Sequence, residues 1–215
     1  MWTTRSKITM SKKLFLVASP LEAKVFEGLD IEVRVIDIGI LNAALNSYQM
    51  LKDSKPGLCV LVGIGGSYDE KKLGIGDVAI AEAEVWADFG RRYPEKYTLI
   101  PGLTNEYQII KLDCSLIKQA KSLLKSRGIE TVSGTFSTVC ACSFDTKRAK
   151  FFKDTFKAIL ENMEGFGVAL AAKKLGIPLL EVRVVSNLLE HPEMAWEFDS
   201  ALNTLREVVK CLKDL

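Results

Sequence analysis

The sequence predicts a single α/β domain, three layers deep, around a central mixed, mostly parallel sheet. Two observations predict it. Apolar runs of strand length alternate with helix-period stretches along almost the whole chain, and no repeat, low-complexity tract or linker interrupts them. At 215 residues, with 48% hydrophobic and 26% charged side chains, the chain is long and apolar enough for one full core. The domain is expected over residues 13–215. Residues 1–12 read as a tail, with Met10 an alternative start.

Leu14 to Ala18 reads as a buried strand, and Pro20, a favoured first-turn residue, opens a helical stretch after it. Ile31 to Ile36 is a second strand and Leu41 to Leu51 a helix. Leu58 to Val62 is a third strand, ending in Gly63-Ile64-Gly65-Gly66. Asp77 to Val85 is a fourth, long and largely apolar. From Arg91 to Tyr107 the chain is loop-rich, with Pro94, Pro101 and Gly102. Asp113 to Arg127 is an amphipathic helix, and Thr131 to Cys142 a β-branched, strand-like run. Phe156 to Leu160 is a short strand ending in Glu161-Asn162-Met163-Glu164. Gly165 to Leu175 is a helix with Val168, Ala171, Ala172 and Leu175 on one face, stopped by Gly176-Ile177-Pro178. Leu179 to Val185 is the last strand. Glu193 to Leu215 closes the chain as a long amphipathic helix carrying Trp196, Leu202, Leu205, Val208, Val209 and Leu212.

Composition excludes several function classes. A formal net charge of +2 gives no nucleic-acid surface, and the basic cluster Lys147, Arg148, Lys150 and Lys153 reads as a solvated helix face. No apolar run reaches membrane-spanning length, and MWTTRSKITMSKK lacks the apolar core of a secretory signal. Five cysteines, odd in number and partly in apolar settings, fit reduced thiols in the cytoplasm. Cys140 and Cys142 form C-x-C, and His191 is far from them in sequence, so no metal site is expected.

The candidate chemistry sits in the segments after strands. The stretch from Glu161 to Asn187 reads as one β-α-β unit. Such strands are normally parallel and right-handed, so both end on the same sheet edge. Glu164 and Asn187 stand at or just past those ends, where open α/β sheets bind ligands. Ser19-Pro20-Leu21-Glu22, Gly63-Ile64-Gly65-Gly66 and Cys140-Ala141-Cys142 would join them if all these strands are parallel. Each feature has a plainer alternative. Glu22 and Glu164 can be first-turn helix residues favoured by the helix dipole, the stronger reading of each taken singly. The glycines let a ligand approach the backbone or simply make a tight turn; they lack the G-x-G-x-x-G spacing and the P-loop Lys. Asn187 can cap a turn, and the cysteines can be small buried fillers, with no neighbour in sequence to lower a thiol pKa.

These residues resemble the nucleoside phosphorylase and nucleosidase superfamily over nearly all of Leu14 to Leu212. The carriers are Asn162-Met163-Glu164-Gly165, Glu181-Val182-Arg183-Val184-Val185-Ser186-Asn187 with Trp196 downstream, Gly63-Ile64-Gly65-Gly66, and Trp86-Ala87-Asp88-Phe89-Gly90. M-E-G with R-x-x-S-N is fairly specific for the superfamily. D-x-G and the S-N ending are most similar to the futalosine hydrolases of menaquinone biosynthesis.

The resemblance implies a cofactor-free enzyme acting on a purine nucleoside. Glu164 would hold the ribose 2′- and 3′-hydroxyls, with Met163 packed beneath the sugar, as placed charge for an oxocarbenium-like transition state. Related phosphorylases carry G-D-P-L-R-A-K where this chain reads Ala18-Ser19-Pro20-Leu21-Glu22-Ala23-Lys24. A carboxylate in place of the phosphate-binding Arg implies hydrolysis, with Glu22 as general base. Asn187, where adenine-specific relatives carry Asp, implies a 6-oxopurine and hence futalosine; a methylthioadenosine/adenosylhomocysteine (or aminofutalosine) nucleosidase, a phosphate-dependent phosphorylase and a non-catalytic nucleoside-binding protein are the rivals. Ser19, Ile64, Gly65, Arg183 and Ser186 would complete the substrate contacts, with the Cys140–Cys142 backbone facing the purine. One departure stands out. The segment Leu188 to Ala195 has no Arg to hold a carboxylated tail, and His191 is either its substitute or a solvent-facing loop residue. Apolar surface on the last helix and near Trp86 implies a homo-oligomer, with a dimer favoured.

Overall fold

The computed structural model describes residues 12–93, 96–98, 100 and 108–215. The expected tail therefore lies almost wholly outside the described residues. In chain order come β1 (Lys13–Val17), the short α1 (Pro20–Ala23) with a 3-10 turn to Phe26, β2 (Val33–Val35) and α2 (Ile40–Ser54). Then follow β3 (Leu58–Ser67), β4 (Val78–Trp86), a small hairpin of β5 (Arg91–Tyr93) and β6 (Lys96–Thr98), β7 (Ile109–Lys111) and α3 (Cys114–Ser126). The remainder is β8 (Thr131–Thr138), α4 (Thr146–Phe156), β9 (Ala158–Asn162), α5 (Gly165–Leu175), β10 (Leu179–Leu188) and α6 (Phe198–Leu212).

The α/β domain and its mixed sheet are as expected, but the sheet closes on itself. β3 pairs with β10, β10 with β4, β4 with β8, β8 with β9, and β9 returns to β3. The physical reason is strand length. β3 has 10 residues and changes partner part-way: Leu58 to Leu61 pair with β1, whereas Gly66 and Ser67 pair with β9. β4 likewise passes from β10 to β7. Register shifts at Ala81/Ala83, Thr135/Phe136 and Val185/Asn187 bend the strands, as bulges do, and let the ring shut.

Closure corrects the β-α-β reading. β10 runs parallel to β3 but β9 runs antiparallel to it, so β9 and β10 do not form a parallel pair. Their ends still meet, because both are registered on Gly66: Asn187 on one edge and Glu161 on the other. The glycines after Val62 continue β3 instead of ending it. A Cβ on Gly65 would strike the Leu160 side chain and the Glu161 carbonyl, so glycine there allows β9 to cross the end of β3.

The core lies on both faces of the strands. In β1, Phe15 and Val17 point into a cluster with Val60, Val62, Val182 and the inner face of α6, while Leu14 and Leu16 face α5 and α2. Burying each such side chain contributes roughly 1.5–3 kcal/mol. This two-sided burial is why the strands read as continuous apolar runs. Several boundaries differ from expectation: β2 is shorter, β3 and β10 run on to Ser67 and Leu188, and β8 stops at Thr138. Phe156 ends α4 rather than opening β9, α6 begins at Phe198 rather than Glu193, and part of the loop-rich section forms β5 and β6.

Candidate active site

A cavity of about 390 Å³ opens where the ends of β3, β9 and β10 meet the loops after β1 and β2. Ser19 and Glu22, Ile64 and Gly65, Met163 and Glu164, Arg183, Asn187 and Cys142 all line it. Two expected residues do not. Ser186 lies behind the wall, with its hydroxyl 3.3 Å from the Gly65 carbonyl and 3.0 Å from Asn187 Oδ1. With Oδ1 so engaged, Asn187 keeps Nδ2, which meets no acceptor among the described residues. Cys140 is exposed, and its N–H donates to Asp88 Oδ2 at 2.9 Å.

Glu22 is both a helix cap and a cavity residue. Ser19 and Glu22 form a capping box: Ser19 Oγ accepts the Glu22 N–H at 3.2 Å, and Glu22 Oε2 accepts the Ser19 N–H at 2.9 Å. The other oxygen, Oε1, accepts the Ile64 N–H at 3.1 Å. A Cβ on Gly63 would collide with this carboxyl and with Arg183, so that glycine makes room for the pair. Burial raises the Glu22 pKa; Arg183 and the donors at Ile64 and Ser19 oppose the rise, while Glu164 adds to it.

Glu164 precedes α5, whose first N–H groups are capped by Asn162 Oδ1, 2.9 Å from Glu164 N and 2.7 Å from Gly165 N. Its side chain is therefore released from capping. Oε1 accepts the Gly39 N–H at 3.2 Å, and Oε2 lies 3.4 Å from Arg183 Nη1. Arg183 is 1% exposed. It donates from Nε to Glu181 Oε1 at 3.0 Å and from Nη1 to the Ile64 carbonyl at 3.2 Å, leaving Nη2 without a partner among the described residues. Burial works against its charge, but Glu181, Glu164 and Glu22 outweigh that and raise its pKa. The wall thus combines one neutralised cation with two carboxyls.

The far wall depends on residues that sequence reading passed over. Buried Glu161 accepts from Tyr68 Oη at 2.8 Å and from the N–H and hydroxyl of Ser143, each at 2.7 Å. Arg148, in the cluster read as a solvated face, points inward. It donates to the Ala141 carbonyl at 2.8 Å, to Ser143 Oγ at 2.7 Å and to Asp88 Oδ2 at 3.1 Å. Trp86 Nε1 donates to Asp88 Oδ1 at 3.0 Å. This network holds the Cys140–Ser143 loop that carries Cys142 into the cavity. The Cys142 thiol is pushed up to about 11 by burial and by Glu161 and Glu164, which disfavours a thiolate near neutral pH. His191 sits outside the cavity, half exposed, 3.5 Å from Glu70, so of its two readings the solvent-facing one holds. Among the described residues, no group of three or more His, Cys, Asp or Glu could hold a metal ion.

Residues 10–215 match the family model of the phosphorylase superfamily. The chain belongs to that superfamily. It is 29% identical to the futalosine hydrolase of Acidothermus cellulolyticus over 157 residues, 72% of this chain and 64% of that protein. The match thus spans somewhat less than two thirds of that relative's length. It is 25% identical to the 5′-methylthioadenosine/S-adenosylhomocysteine nucleosidase of Bacillus licheniformis over 187 residues, 86% of this chain and 79% of that one. Among solved structures it is similar to a Helicobacter pylori nucleosidase variant with 5′-methylthioadenosine in its active site. The TM-score is 0.82 at 24% identity, covering 95% of this chain and 99% of that one, a likeness of fold.

Proposed function

We propose that this member of the superfamily hydrolyses the N-glycosidic bond of a purine nucleoside, without a cofactor. The observation that carries the reading is the charge of the inner wall. Glu22 and Glu164 flank Arg183, whose charge is already met by Glu181, so a phosphate entering here would face carboxylates. Water suits the same place. Glu22 takes a proton from water, the water oxygen bonds to C1′, and the C1′–N9 bond breaks with its electron pair leaving on the base, which takes up a proton from solvent. Glu164 accepts the two ribose hydroxyls, an interaction that strengthens as the sugar gains positive charge. Asn187 Nδ2 donates to O6 or N7 of the departing base.

Futalosine is our first choice of substrate, giving hypoxanthine and dehypoxanthine futalosine in a cytoplasmic, menaquinone-linked step, because the Asn187 amide suits a 6-oxopurine. One observation favours a second reading. Leu21, Ile38 and Phe198 line the cavity mouth with apolar surface, which suits a thioalkyl group on the 5′ carbon and a methylthioadenosine/adenosylhomocysteine nucleosidase. Base release from futalosine, aminofutalosine, methylthioadenosine and inosine in phosphate-free buffer separates these cases. Absence of hypoxanthine from futalosine would refute the first choice.

A homodimer also forms part of this proposal, on a different surface from the one expected. The apolar face of α6 is buried in the core. Leu41, Leu45 and Tyr48 instead form an exposed apolar stripe on α2, beside Ile38 at the cavity mouth.

A further inference from the structure

Four glutamates and Arg183 are buried together around the cavity floor, and the proposed reaction employs only Glu22, Glu164 and Arg183. The remaining two, Glu84 on β4 and Glu181 on β10, are each 0% exposed and line no part of the cavity. Glu84 accepts from Asn162 Nδ2 at 2.8 Å and from Thr138 Oγ1 at 2.6 Å. Glu181 Oε1 accepts from Arg183 Nε, while Oε2 meets no amide, hydroxyl or cationic donor among the described residues. What faces Glu181 is the carboxyl of Glu84: the Oε1 atoms of both crowd the point where a Gly165 Cβ would stand. Two carboxyls this close, both out of water and with only Arg183 Nε on one of them, repel each other unless a proton lies between them. Gly165 makes the meeting possible: a Cβ there would collide with Glu84 Oε1 and Glu181 Oε1 together. This gives a reason for glycine after Glu164 that has nothing to do with turn geometry.

We infer that Glu84 and Glu181 are a positioning pair sharing one proton, in which Glu84 donates to Glu181 and Glu181 remains the anion that orients and neutralises Arg183. The inference deepens the proposed function and rests on Glu22 being its general base. The proton belongs on Glu84 because burial and the Glu181 charge both raise its pKa. Glu181, also raised by burial, is drawn down by Arg183 and by the Glu84 hydrogen bond. With Glu181 meeting its charge, Arg183 aligns Glu164 without holding Glu22 at an ordinary carboxylate pKa, so Glu22 stays a competent base. The groups facing Glu22 are Arg183 from β10, Glu164 ahead of α5, the Ile64 N–H from β3 and Ser19 from its own cap. Those facing the pair are Arg183, Glu164, Thr138, Asn162 and the Cys59 thiol from β3, whose own pKa is raised by burial and the Glu181 charge.

Infrared spectra of the whole protein and pH–rate profiles of E84Q and E181Q test the pair. The wild type at neutral pH should show a protonated-carboxyl C=O band that disappears in E84Q and persists in E22Q. In E84Q the amide donates as the acid did, so the acid limb of kcat should stay in place. In E181Q the uncancelled Arg183 charge falls on Glu22, and the acid limb should move to lower pH by about one unit, with kcat reduced by tenfold or more. A purely structural role would lower stability and leave both acid limbs unmoved, and that result would overturn the inference. So would a missing band in the wild type, a band indifferent to E84Q, or an E84Q limb that shifts like that of E181Q. Should E181Q fail to fold, the band and the E84Q profile decide. A protein that keeps the band but releases no base from any nucleoside would sink the proposed reaction and leave the shared proton standing.

Discussion

The inner and outer walls of the cavity are built in different ways. The inner wall sets Glu22, Glu164 and Arg183 on a short capped helix, a helix start and a strand, each held by backbone N–H or carbonyl groups of neighbouring elements. The outer wall is a loop, Cys140 to Ser143, fixed from behind by Arg148, Asp88 and Glu161, together with Asn187 and the segment that follows it. Strand ends can hold charges in place through the ladder itself, whereas a loop needs a separate polar network to do so. On the proposed function, the inner wall would perform the bond cleavage and the outer wall would select the base.

Breaking the inner wall should cost most. Glu22→Gln should lower kcat by about 10²–10⁴ with KM little changed, measured as initial rates of base release. The base must be deprotonated to work, so wild-type activity should fall on acidification at a pH above the usual carboxylate range, because the Glu22 pKa is raised. Glu164→Gln should lower kcat/KM by about 10²–10³, with the larger share in kcat, because its hydroxyl contacts strengthen in the transition state. The outer wall should answer in KM and selectivity instead. Arg148→Met strips partners from Asp88, Ser143 and the Ala141 carbonyl; it should destabilise the fold by about 1–3 kcal/mol in denaturant titrations and raise KM more than it lowers kcat. Asn187→Asp should shift the kcat/KM ratio of 6-oxo to 6-amino nucleosides by about tenfold toward adenine, one hydrogen bond's difference. The smallest effect on turnover is expected from Leu45→Lys on α2, which should yield monomers in sedimentation if the apolar stripe is the dimer contact.

The same division governs what could be read from the sequence. Glu22, Glu164 and Asn187 could be placed at strand ends because each follows an apolar run of strand length, but each taken singly reads as a helix-start or turn residue, and Arg183 is marked only by the resemblance. The closed sheet was not legible. Partner changes along β3 and β4 depend on bulges and on Gly65, whose signature in sequence is indistinguishable from a turn. Arg148 was hidden by company: among Lys147, Lys150 and Lys153 on α4 it looks like any solvated cation, and only the loop folding over it reveals its donors' targets. Glu84 and Glu181 sit inside otherwise apolar strands. A charge in such a run is a signal that something must pair with it, but the sequence does not say what.

The central claim is hydrolysis at a carboxylate-lined site. The most direct test is base release from purine nucleosides in phosphate-free buffer, repeated with added phosphate while the sugar product is identified. The account expects full turnover without phosphate, a free sugar as product, hypoxanthine from futalosine, and no acceleration on adding phosphate. Turnover that requires phosphate and yields a sugar 1-phosphate would contradict it.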